Sequence, residues 1–247
     1  QAGLVLTAEY SDLWKEDKKT ETNEVMFALQ HSAKHKIASN YGKSYYPSDY
    51  SPNAGWADYY GNEDFLKAYP NDDRKEWNYM TEWKIKSGEI IPYTESADKL
   101  PAISKYYDYD EGAPGKSAQS NGITCIYRYA EVLLMYAEAS TRATNSVNQD
   151  ALNAIQEVQK RAGYQDRQIE LTTTTEPTAF LAAVSNERGW EFFAEMKRWF
   201  ELVRLEKVKE VRAEEWDAST FNTNHHYYFP VPYQQVDLAG WTNNAGY

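Results

Sequence analysis

The second half of the chain carries apolar residues at helical spacing over three stretches, 123–142, 148–162 and 178–204. Within the first stretch, residues 126–140 have almost no polar face, because apolar side chains recur every three or four residues and further ones flank that stripe. A helix that is apolar nearly all round has to be enclosed by other structure. We therefore expect the other two helices to pack around this one.

The second of these helices has a clear apolar face and clear ends. Gly163 follows it, at the position where a residue in the left-handed conformation commonly ends a helix. With the first helix it forms a predicted antiparallel hairpin of the size of one tetratricopeptide-like unit. The third helix starts near Pro177, which suits a first turn. The apolar face of the second helix consists of Ala151, Leu152, Ile155, Val158 and Ala162.

The first half of the chain lacks long periodic runs. Near its start the pattern predicts a short helix over 9–14 and a strand or buried edge over 24–30. Residues 31–120 are then rich in Tyr, Asn, Asp, Ser, Pro and Gly, which favours extended loops with short helices, such as one near 62–69. So long an irregular segment in a folded protein is usually functional. The predicted fold class is mainly α.

Composition and charge exclude several classes of protein. The chain has 247 residues, of which 15 % are aromatic, and a formal net charge of −11. So high an aromatic content is not that of a disordered chain, and the negative charge argues against binding to nucleic acid or to an anionic membrane surface. No apolar run approaches the ~18–20 residues of a membrane span. The single cysteine, Cys125, is predicted to be an inert core residue.

The third helix carries the residues that most resemble a catalytic pair. Glu187 and Glu191 continue, with Glu195, a row that begins with the apolar residues Phe180 and Val184, so that some of these acids face the packed side. They form either a general acid–base pair, as in a glycoside hydrolase, or structural ion pairs. We favour ion pairs, because each acid has an arginine within helical reach. The candidate partners are Arg128, Arg188, Arg198 and Arg204.

No metal or cofactor site is predicted. His225 and His226 are adjacent on an extended segment, where neighbouring side chains point to opposite faces, which is poor geometry for one metal ion. His31 and His35 are four residues apart but lack an accompanying glutamate motif. The sequence also contains no glycine-rich phosphate loop, nucleophile elbow or Cys–His arrangement. We therefore expect no catalytic residue and no cofactor.

Four spaced segments of the C-terminal half carry a family resemblance. They are YRYAEVLLMYAEA (127–139), ALNAIQEVQKRAGY (151–164), NERGWEFFAEMKRWFELVR (186–204) and YYFPVPYQQVDLAGWTNNAGY (227–247). In that order they resemble the C-terminal half of the SusD/RagB family, which comprises nutrient-binding outer-membrane lipoproteins of Bacteroidetes. The segment 10–30 and DDRKEW (72–77) are similar to further elements of the family.

The chain departs from the family pattern in its third helix. Met196 stands where family members commonly have glycine, and Glu201 replaces an aspartate. We therefore expect the third helix to run unbroken where relatives bend. Family members are also about twice as long as this chain. The resemblance thus implies a further N-terminal half, with a signal peptide, a lipidated cysteine and part of the scaffold.

The resemblance implies a tetratricopeptide-like α-superhelical scaffold with long irregular loops and minor β structure. It further implies that 1–247 is one SusD/RagB-like C-terminal region, with a variable ligand-binding part at 31–121 and a helical scaffold part at 122–247. Such proteins are lipid-anchored on the cell-surface side of the outer membrane. There they hold a glycan, or in some relatives a peptide, for a SusC-like TonB-dependent transporter. They bind and deliver their ligand and are not enzymes, and only the N-terminal lipid anchor meets the membrane.

Residues 41–60 are the predicted place of the ligand, because aromatic residues are concentrated there. A pyranose ring packs a flat C–H face on an aromatic plane, while nearby polar side chains bond its hydroxyl groups. Trp56, Tyr46 and Tyr50 are the preferred platforms. The alternative is that these tyrosines anchor a long loop to the scaffold. The candidate ligand-binding residues are Tyr41, Tyr45, Tyr46, Asp49, Tyr50, Asn53, Trp56, Asp58 and Tyr59.

Some features of the site and two other classes of protein stay open. Gly55 is expected to leave room for a close approach of the ligand to the platform that follows it. Trp77 and Trp83 are second choices as platforms. A glycoside hydrolase would need two carboxylates at a fixed separation in a cleft. A tetratricopeptide-type adaptor would bind a protein through its concave helical face and ignore carbohydrate.

Overall fold

The computed structural model describes residues 3–106, 120–211 and 227–247, which fall into two compact units, 1–195 and 196–247. The predicted mainly helical class is confirmed, and the described strands are short and paired two by two. The helices of the first unit are α1 (Tyr41–Tyr45), α2 (Glu63–Ala68), α3 (Asp73–Asn78), α4 (Tyr129–Thr144), α5 (Gln149–Arg161) and α6 (Pro177–Glu191). Its strands are β1 (Val25–Gln30), β2 (Tyr79–Met80), β3 (Glu82–Lys84), β4 (Ile90–Pro92), β5 (Ala102–Ile103) and β6 (Ile123–Arg128). The second unit contains α7 (Arg198–Arg204), α8 (Val208–Val211) and α9 (Tyr233–Ala239). Single turns of 3-10 helix lie at Tyr10–Leu13 and Tyr93–Glu95.

The second predicted helix, α5, forms as expected and packs against α4. It begins after Asn148, whose side-chain oxygen accepts a hydrogen bond from the backbone N–H of Ala151 at 2.8 Å. Such a cap satisfies one of the N–H groups that the first turn of a helix leaves unpaired. Gly163 follows the helix in the left-handed conformation (φ +82°), where a side chain would also clash with the carboxylate of Asp73. The predicted role of this glycine is confirmed.

The main apolar core lies between α4, α5 and α6. Leu134, Ile155 and Phe180 are fully buried in it, and small residues such as Ala137 allow the helices to approach closely. Fully burying one large apolar side chain stabilises a fold by roughly 1.5–3 kcal/mol. The apolar face predicted for α5 is buried along its whole length. Helical periodicity therefore located this core correctly.

The first predicted helix is shorter than expected, because its opening residues form a strand. Residues 123–128 are β6, which pairs antiparallel with β1 so that Cys125 lies opposite Ala28, and α4 begins only at Tyr129. The β-branched residues of this segment suit a strand, and its partner lies far away in the sequence, so periodicity alone could not show the pairing. The predicted helix over 123–128 is wrong. Cys125 is buried in the strand, and burial raises the pKa of its thiol to about 12, as expected of an inert core residue.

α4 is also less enclosed than its sequence suggests. It buries one stripe against α5 and α6, but Val132, Met135 and Tyr136 on its other side are between 37 % and 46 % exposed. Phe27 of β1 and Tyr127 of β6 are likewise more than half exposed. The expectation that this helix is surrounded on most sides is therefore not met by the described part of the chain.

The third predicted helix is broken where we expected it to continue. Between α6 and α7, both Ala194 and Met196 adopt the left-handed conformation (φ +58° and +61°). The break exposes the carbonyl of Phe193 to the interior, where the buried ammonium group of Lys105 donates to it at 2.7 Å. Met196 thus takes the conformation that glycine adopts most easily. The expectation of an unbroken helix is wrong.

Replacing Met196 by glycine should stabilise the protein or leave its stability unchanged. The left-handed conformation costs a residue with a side chain roughly 1–2 kcal/mol, which exceeds the roughly 0.5–1 kcal/mol that glycine costs through its freer unfolded chain. The matched control is Met135→Gly, because Met135 is also about half exposed but lies inside α4, where glycine costs about 1 kcal/mol. Thermal unfolding measures both, and equal destabilisation by the two changes would contradict the left-handed turn.

Residues 31–106 form short elements around aromatic clusters. β2 pairs with β5 and β3 with β4 over only two or three residues each. Rings fill the space between these elements and the start of the chain: the centres of Trp14 and Tyr106, for example, are 5.7 Å apart with the rings edge to face. The predicted character of this region, extended loops with short helices, is confirmed for the described residues.

None of the helices in the described ranges is both long and apolar enough to cross a membrane. α4, the longest of them with 16 residues, buries the charged residues Glu131 and Glu138 among its apolar ones.

The second unit, taken by itself, is small and rich in exposed aromatic side chains. The rings of Trp199 and Phe229 lie 6.5 Å apart, and the side-chain amide of Asn244 donates to the carbonyl of Phe229 at 2.6 Å. In α9, Tyr233 and Leu238 are more than three-quarters exposed. The assignment of ligand binding to residues 31–121 and of the scaffold to residues 122–247 stays a prediction.

Candidate functional site

The aromatic segment, residues 41–60, folds back on α1. The backbone N–H of Trp56 donates to the carbonyl of Lys43 at 2.7 Å, and that of Asp58 donates to the carbonyl of Ser44 at 2.9 Å. These bonds fix the backbone beneath Trp56 to a helix. The side chain is therefore presented from a rigid support, which is what precise binding requires.

Gly55 is required by the turn itself. A Cβ atom at this position would overlap the backbone carbonyl of Tyr46. The N–H of Gly55 donates to the carbonyl of Pro47 at 2.8 Å, which closes the loop. The protein's own backbone fills the space that the missing side chain leaves. The expectation that Gly55 makes room for a ligand is therefore wrong.

Two aromatic side chains of the segment reach the surface. Trp56 is 50 % exposed and Tyr59 is 60 % exposed. The ammonium group of Lys43 lies 4.9 Å from the centre of the Trp56 ring, a cation–π contact. The Tyr59 ring packs against Tyr45 with the ring centres 5.6 Å apart. Each surface ring is thus held by a neighbour and still offers much of its area to solvent.

Most of the other aromatic candidates lie inside the protein. Tyr46 is 1 % exposed and stacks on Tyr50 with the ring centres 5.2 Å apart. Tyr45 is also buried and stacks on Tyr106, and Tyr41 packs on the same ring at 5.3 Å. Burial raises the pKa of Tyr45 to about 12. These rings support the segment from within, and Tyr46 has no free face on which a ligand could stack.

The polar candidates divide in the same way. Asp58, which lies between Trp56 and Tyr59 along the chain, is exposed. Asn53 in the preceding loop is partly exposed. Asp49, in contrast, accepts hydrogen bonds from the indole N–H of Trp83 at 2.7 Å and from the backbone N–H of Ala97 at 3.1 Å. Trp83 is only 3 % exposed, so this second-choice platform is part of the interior.

The structure adds Lys43, which sequence analysis missed, to the candidate surface. It approaches Trp56 only because the chain returns to α1, and a lone lysine in a short helix gives no signal of that return. Trp77, the other second choice, is partly exposed, with the ammonium group of Lys15 at 5.6 Å from its ring centre. Trp77 remains an alternative platform.

The carboxylates of the third predicted helix lie in a buried charge cluster. Glu187 and Glu191 are fully buried, and both accept from the guanidinium of Arg74, at 2.5 and 2.8 Å. Glu191 also pairs with Arg128 and Arg161. Every side chain of the cluster is at least 96 % buried. Its members are Arg74, Lys105, Arg128, Arg161, Glu24, Asp72, Glu187, Glu191 and Glu195.

The ion-pair interpretation of Glu187 and Glu191 is confirmed, but most of the predicted partners are wrong. Only Arg128 was among the expected arginines. Arg188, on the same helix, lies 3.5 Å from Glu131 instead. The acids point into the core, so their partners come from other elements and not from neighbouring turns. Because neither carboxylate reaches solvent, neither can act on a glycosidic bond in a cleft.

The surrounding charges give the two glutamates different properties. Burial raises the pKa of Glu187, against the effect of Arg74. Burial acts in the same direction on Glu191, but Arg161, Arg128 and Arg74 outweigh it and hold the pKa of Glu191 well below its ordinary value of 4.5. The fold therefore stabilises the charged form of Glu191 more strongly than that of Glu187.

Replacing Glu191 by glutamine should lower the free energy of unfolding by about 3–5 kcal/mol, because it breaks several buried ion pairs at once. Glu187→Gln is the matched control and should cost less, since Glu187 pairs with one arginine, Arg74, whereas Glu191 pairs with three. Chemical unfolding at neutral pH measures both variants. Affinity for ligand per folded molecule should stay unchanged in Glu191→Gln. A loss of affinity without a loss of stability would reverse the structural assignment.

The same substitution has a defined pH dependence. Folding lowers the pKa of Glu191, so its charge contributes stability above the ordinary value of 4.5, and that contribution disappears as the pH falls through the folded value. The difference in stability between wild type and Glu191→Gln should therefore shrink in acid. A constant difference across the acid range would show that charge at this residue is not the cause.

The histidines that were considered as metal ligands do not come together in the described residues. Both ring nitrogens of His31 are engaged, one with the hydroxyl of Thr124 at 2.7 Å and the other with the carbonyl of Ile37 at 3.1 Å. His225 and His226 lie outside the described residues. Within the described ranges, no group of three or more His, Cys, Asp or Glu side chains is arranged so that it could hold a metal ion.

Comparison with known protein sequences identifies relatives over the whole chain. The family model of the SusD family matches residues 23–247. Among curated proteins, SusD-like protein P2 from Formosa agariphila is 26 % identical over 268 residues, an alignment that covers 99 % of this chain and 52 % of that protein.

Solved structures share the fold. A SusD homolog from Bacteroides thetaiotaomicron gives a TM-score of 0.80 at 20 % identity, covering 99 % of this chain and 56 % of that one. The surface glycan-binding protein A from the same organism, in complex with laminarihexaose, gives 0.74 at 22 % identity with the same two coverages. This chain spans about half the length of these relatives. Its helical, tetratricopeptide-like fold is that of the superfamily. With most of its residues matched by the family model, the chain belongs to the SusD family.

Proposed function

We propose that this protein binds a glycan through the aromatic surface, defined here as Lys43, Trp56, Asp58 and Tyr59. The observation that carries the proposal is the half-exposed Trp56 ring on a backbone bonded to α1. A flat aromatic ring suits the C–H face of a pyranose, which is apolar. The hydroxyl groups at the edge of the pyranose need hydrogen-bond partners. The carboxylate of Asp58 supplies an acceptor for them, and the ammonium group of Lys43 supplies donors.

A relative supports a glycan as the ligand class. The surface glycan-binding protein A from Bacteroides thetaiotaomicron, which shares the fold, was solved in complex with laminarihexaose. Laminarin is therefore the first polysaccharide to test. Of the other predicted ligand residues, Asn53 and Tyr50 lie in the same loop and are partly exposed, and the proposal assigns them to the edge of the site.

The family resemblance extends the proposal to the whole protein. In this proposal the protein is anchored by a lipid on the cell-surface side of the outer membrane and passes its glycan to a SusC-like TonB-dependent transporter. It acts as a binding protein and not as an enzyme. Burial of Glu187 and Glu191 supports this, because it removes the carboxylate pair that a glycoside hydrolase would need.

Affinity gel electrophoresis against a panel of polysaccharides tests the ligand class. We expect at least one gel, with laminarin tried first, to retard the protein, while serum albumin runs unchanged. Incubation with the same polysaccharide should release no reducing ends above the buffer control. Release of reducing ends would favour the hydrolase. Failure of every polysaccharide to retard the folded protein would overturn the glycan proposal and favour a protein-binding adaptor.

A further inference from the structure

We infer that Asp49 is a positioning residue: it locks the platform loop, residues 47–56, to the hairpin of β3 and β4, so that Trp56 is in place before a ligand arrives. The inference rests on the proposed glycan site, because it assigns a role within that site. It also separates Asp49 from the residues that touch the ligand. Trp83, buried beneath the loop, is its main partner.

The carboxylate of Asp49 ties the platform loop to two other segments. One oxygen accepts from the indole N–H of Trp83 in β3 at 2.7 Å, and the other accepts from the backbone N–H of Ala97 at 3.1 Å. Trp83 is 3 % exposed, so its N–H would otherwise have to be buried without an acceptor, which is costly. Both oxygens of Asp49 are therefore already engaged within the protein.

Backbone contacts join the same part of the loop to the same hairpin. The N–H of Ser51 donates to the carbonyl of Lys84 at 2.8 Å. Tyr50 and Ile85 form an isolated antiparallel bridge next to it. The loop thus lies along the end of β3 as a short added strand, and the side chain of Asp49 adds a lateral bond to this pairing.

Hydrogen bonds at the other end of the loop fix the position of Trp56. The loop closes on itself through the bond from Gly55 to Pro47 and continues directly to Trp56, whose N–H is bonded to Lys43. Few residues separate the two anchored ends of the loop. Loss of the hydrogen bonds of Asp49 would therefore displace the Trp56 ring. Order that exists before binding raises affinity, because the ligand does not have to impose it.

Trp83→Phe is the sharpest test, because it removes the indole N–H and keeps an aromatic ring in the buried site. We expect affinity for the most strongly retarding polysaccharide of the panel to fall about three- to thirtyfold, the equivalent of one hydrogen bond. Trp190→Phe in α6 is the matched control outside the loop and should leave affinity unchanged. Wild-type affinity in Trp83→Phe would overturn the inference.

A double-mutant cycle with Trp56→Ala separates positioning from a general structural effect. If the bond between Asp49 and Trp83 acts by placing Trp56, then Trp83→Phe should have no further effect once Trp56 is absent. Additive losses would overturn the inference. If Trp56→Ala itself binds like wild type, the proposed site fails, and the binding role of Asp49 fails with it.

A conservative exchange at Asp49 separates positioning from direct contact. Asp49→Asn keeps an oxygen that can accept from the indole of Trp83, so it should retain more affinity than Asp49→Ala. If instead the negative charge of Asp49 bonded the ligand, both variants would lose affinity equally. Equal losses would therefore overturn the positioning role.

Amide hydrogen exchange gives a test that needs no ligand. In Trp83→Phe, the bonded amides of residues 55–58 should exchange about tenfold faster, while those of α5 stay unchanged. Trp190→Phe should leave residues 55–58 as in wild type. Unchanged exchange at 55–58 in Trp83→Phe would overturn the inference even if the protein binds glycan. Faster exchange with no glycan bound by wild type would support the locked loop and count against the proposed function alone.

Discussion

Protein carrying Arg128→Met is expected to lose roughly 5 kcal/mol of stability, as much as the whole stability of a marginal domain. The guanidinium of Arg128 donates to Glu24 at 2.8 Å, to Glu195 at 2.8 and 3.0 Å, and to Glu191. Methionine fills a similar volume but leaves these carboxylates in the interior without their shared cation. Urea unfolding followed by circular dichroism should show a much weaker transition or none.

Lys105→Met is the matched control for this change. Lys105 is a fully buried cation of the same cluster, but it pairs with one carboxylate, that of Glu195 at 2.6 Å. Burial lowers the pKa of Lys105 to about 8 against the effect of Glu195, so the charge is already costly to keep. Glu195 also retains Arg128. We expect a loss of about 1–3 kcal/mol. Equal losses in the two variants would contradict the central place of Arg128.

Trp56→Ala is expected to weaken glycan binding about five- to hundredfold. Stacking of a flat ring on an aromatic side chain is worth on the order of 1–3 kcal/mol in the comparable case of nucleic-acid bases, and about 1.4 kcal/mol is tenfold in affinity. The fold should stay intact, because Trp56 is half exposed and lies outside the apolar cores. Retardation in affinity gels, measured over a range of polysaccharide concentrations, gives the ratio.

The control for this prediction is another exposed tryptophan. Trp241 is 58 % exposed and lies in the second unit, so Trp241→Ala should bind like wild type. Equal retardation of wild type and Trp56→Ala, with both folded, would remove Trp56 from the site. Trp77, which is partly exposed, would then be the candidate platform.

The sequence predicts those elements whose determining residues lie close together along the chain, and it misses those that depend on distant contacts. α5 was predicted correctly, because its apolar face, its cap and Gly163 lie within one short segment. β6 was missed, because the strand exists only through its pairing with β1, far away in the sequence. The break at Met196 was missed for a similar reason. The carbonyl of Phe193, at the end of α6, accepts from Lys105, a residue far away in the sequence, and periodicity does not record such a contact.

The candidate site shows the same division. Aromatic density correctly marked residues 41–60 as unusual, yet it could not tell that Tyr46 is buried while Trp56 and Tyr59 are exposed. That sorting is set by the return of the chain to α1 and by the close contact at Gly55.

The sequence predicted the buried acids of the charge cluster but only one of the arginines that pair with them. A row of acids that begins with apolar residues correctly indicated that some acids face inward. Their partners, however, are Arg74, Arg128 and Arg161, which come from three separate elements. The segments that carry the family resemblance contain these three arginines, but the resemblance did not predict that they meet the glutamates.

Fluorine NMR of protein labelled with fluorotryptophan tests the central claim most directly, since each of the eight tryptophans reports on its own surroundings. The Trp56 resonance is identified by its absence in Trp56→Ala. On titration with the polysaccharide that retards the protein, it should shift in proportion to saturation, while those of buried Trp14 and Trp83 stay in place. A saturating glycan that shifts another tryptophan and leaves Trp56 unmoved would contradict the proposed site.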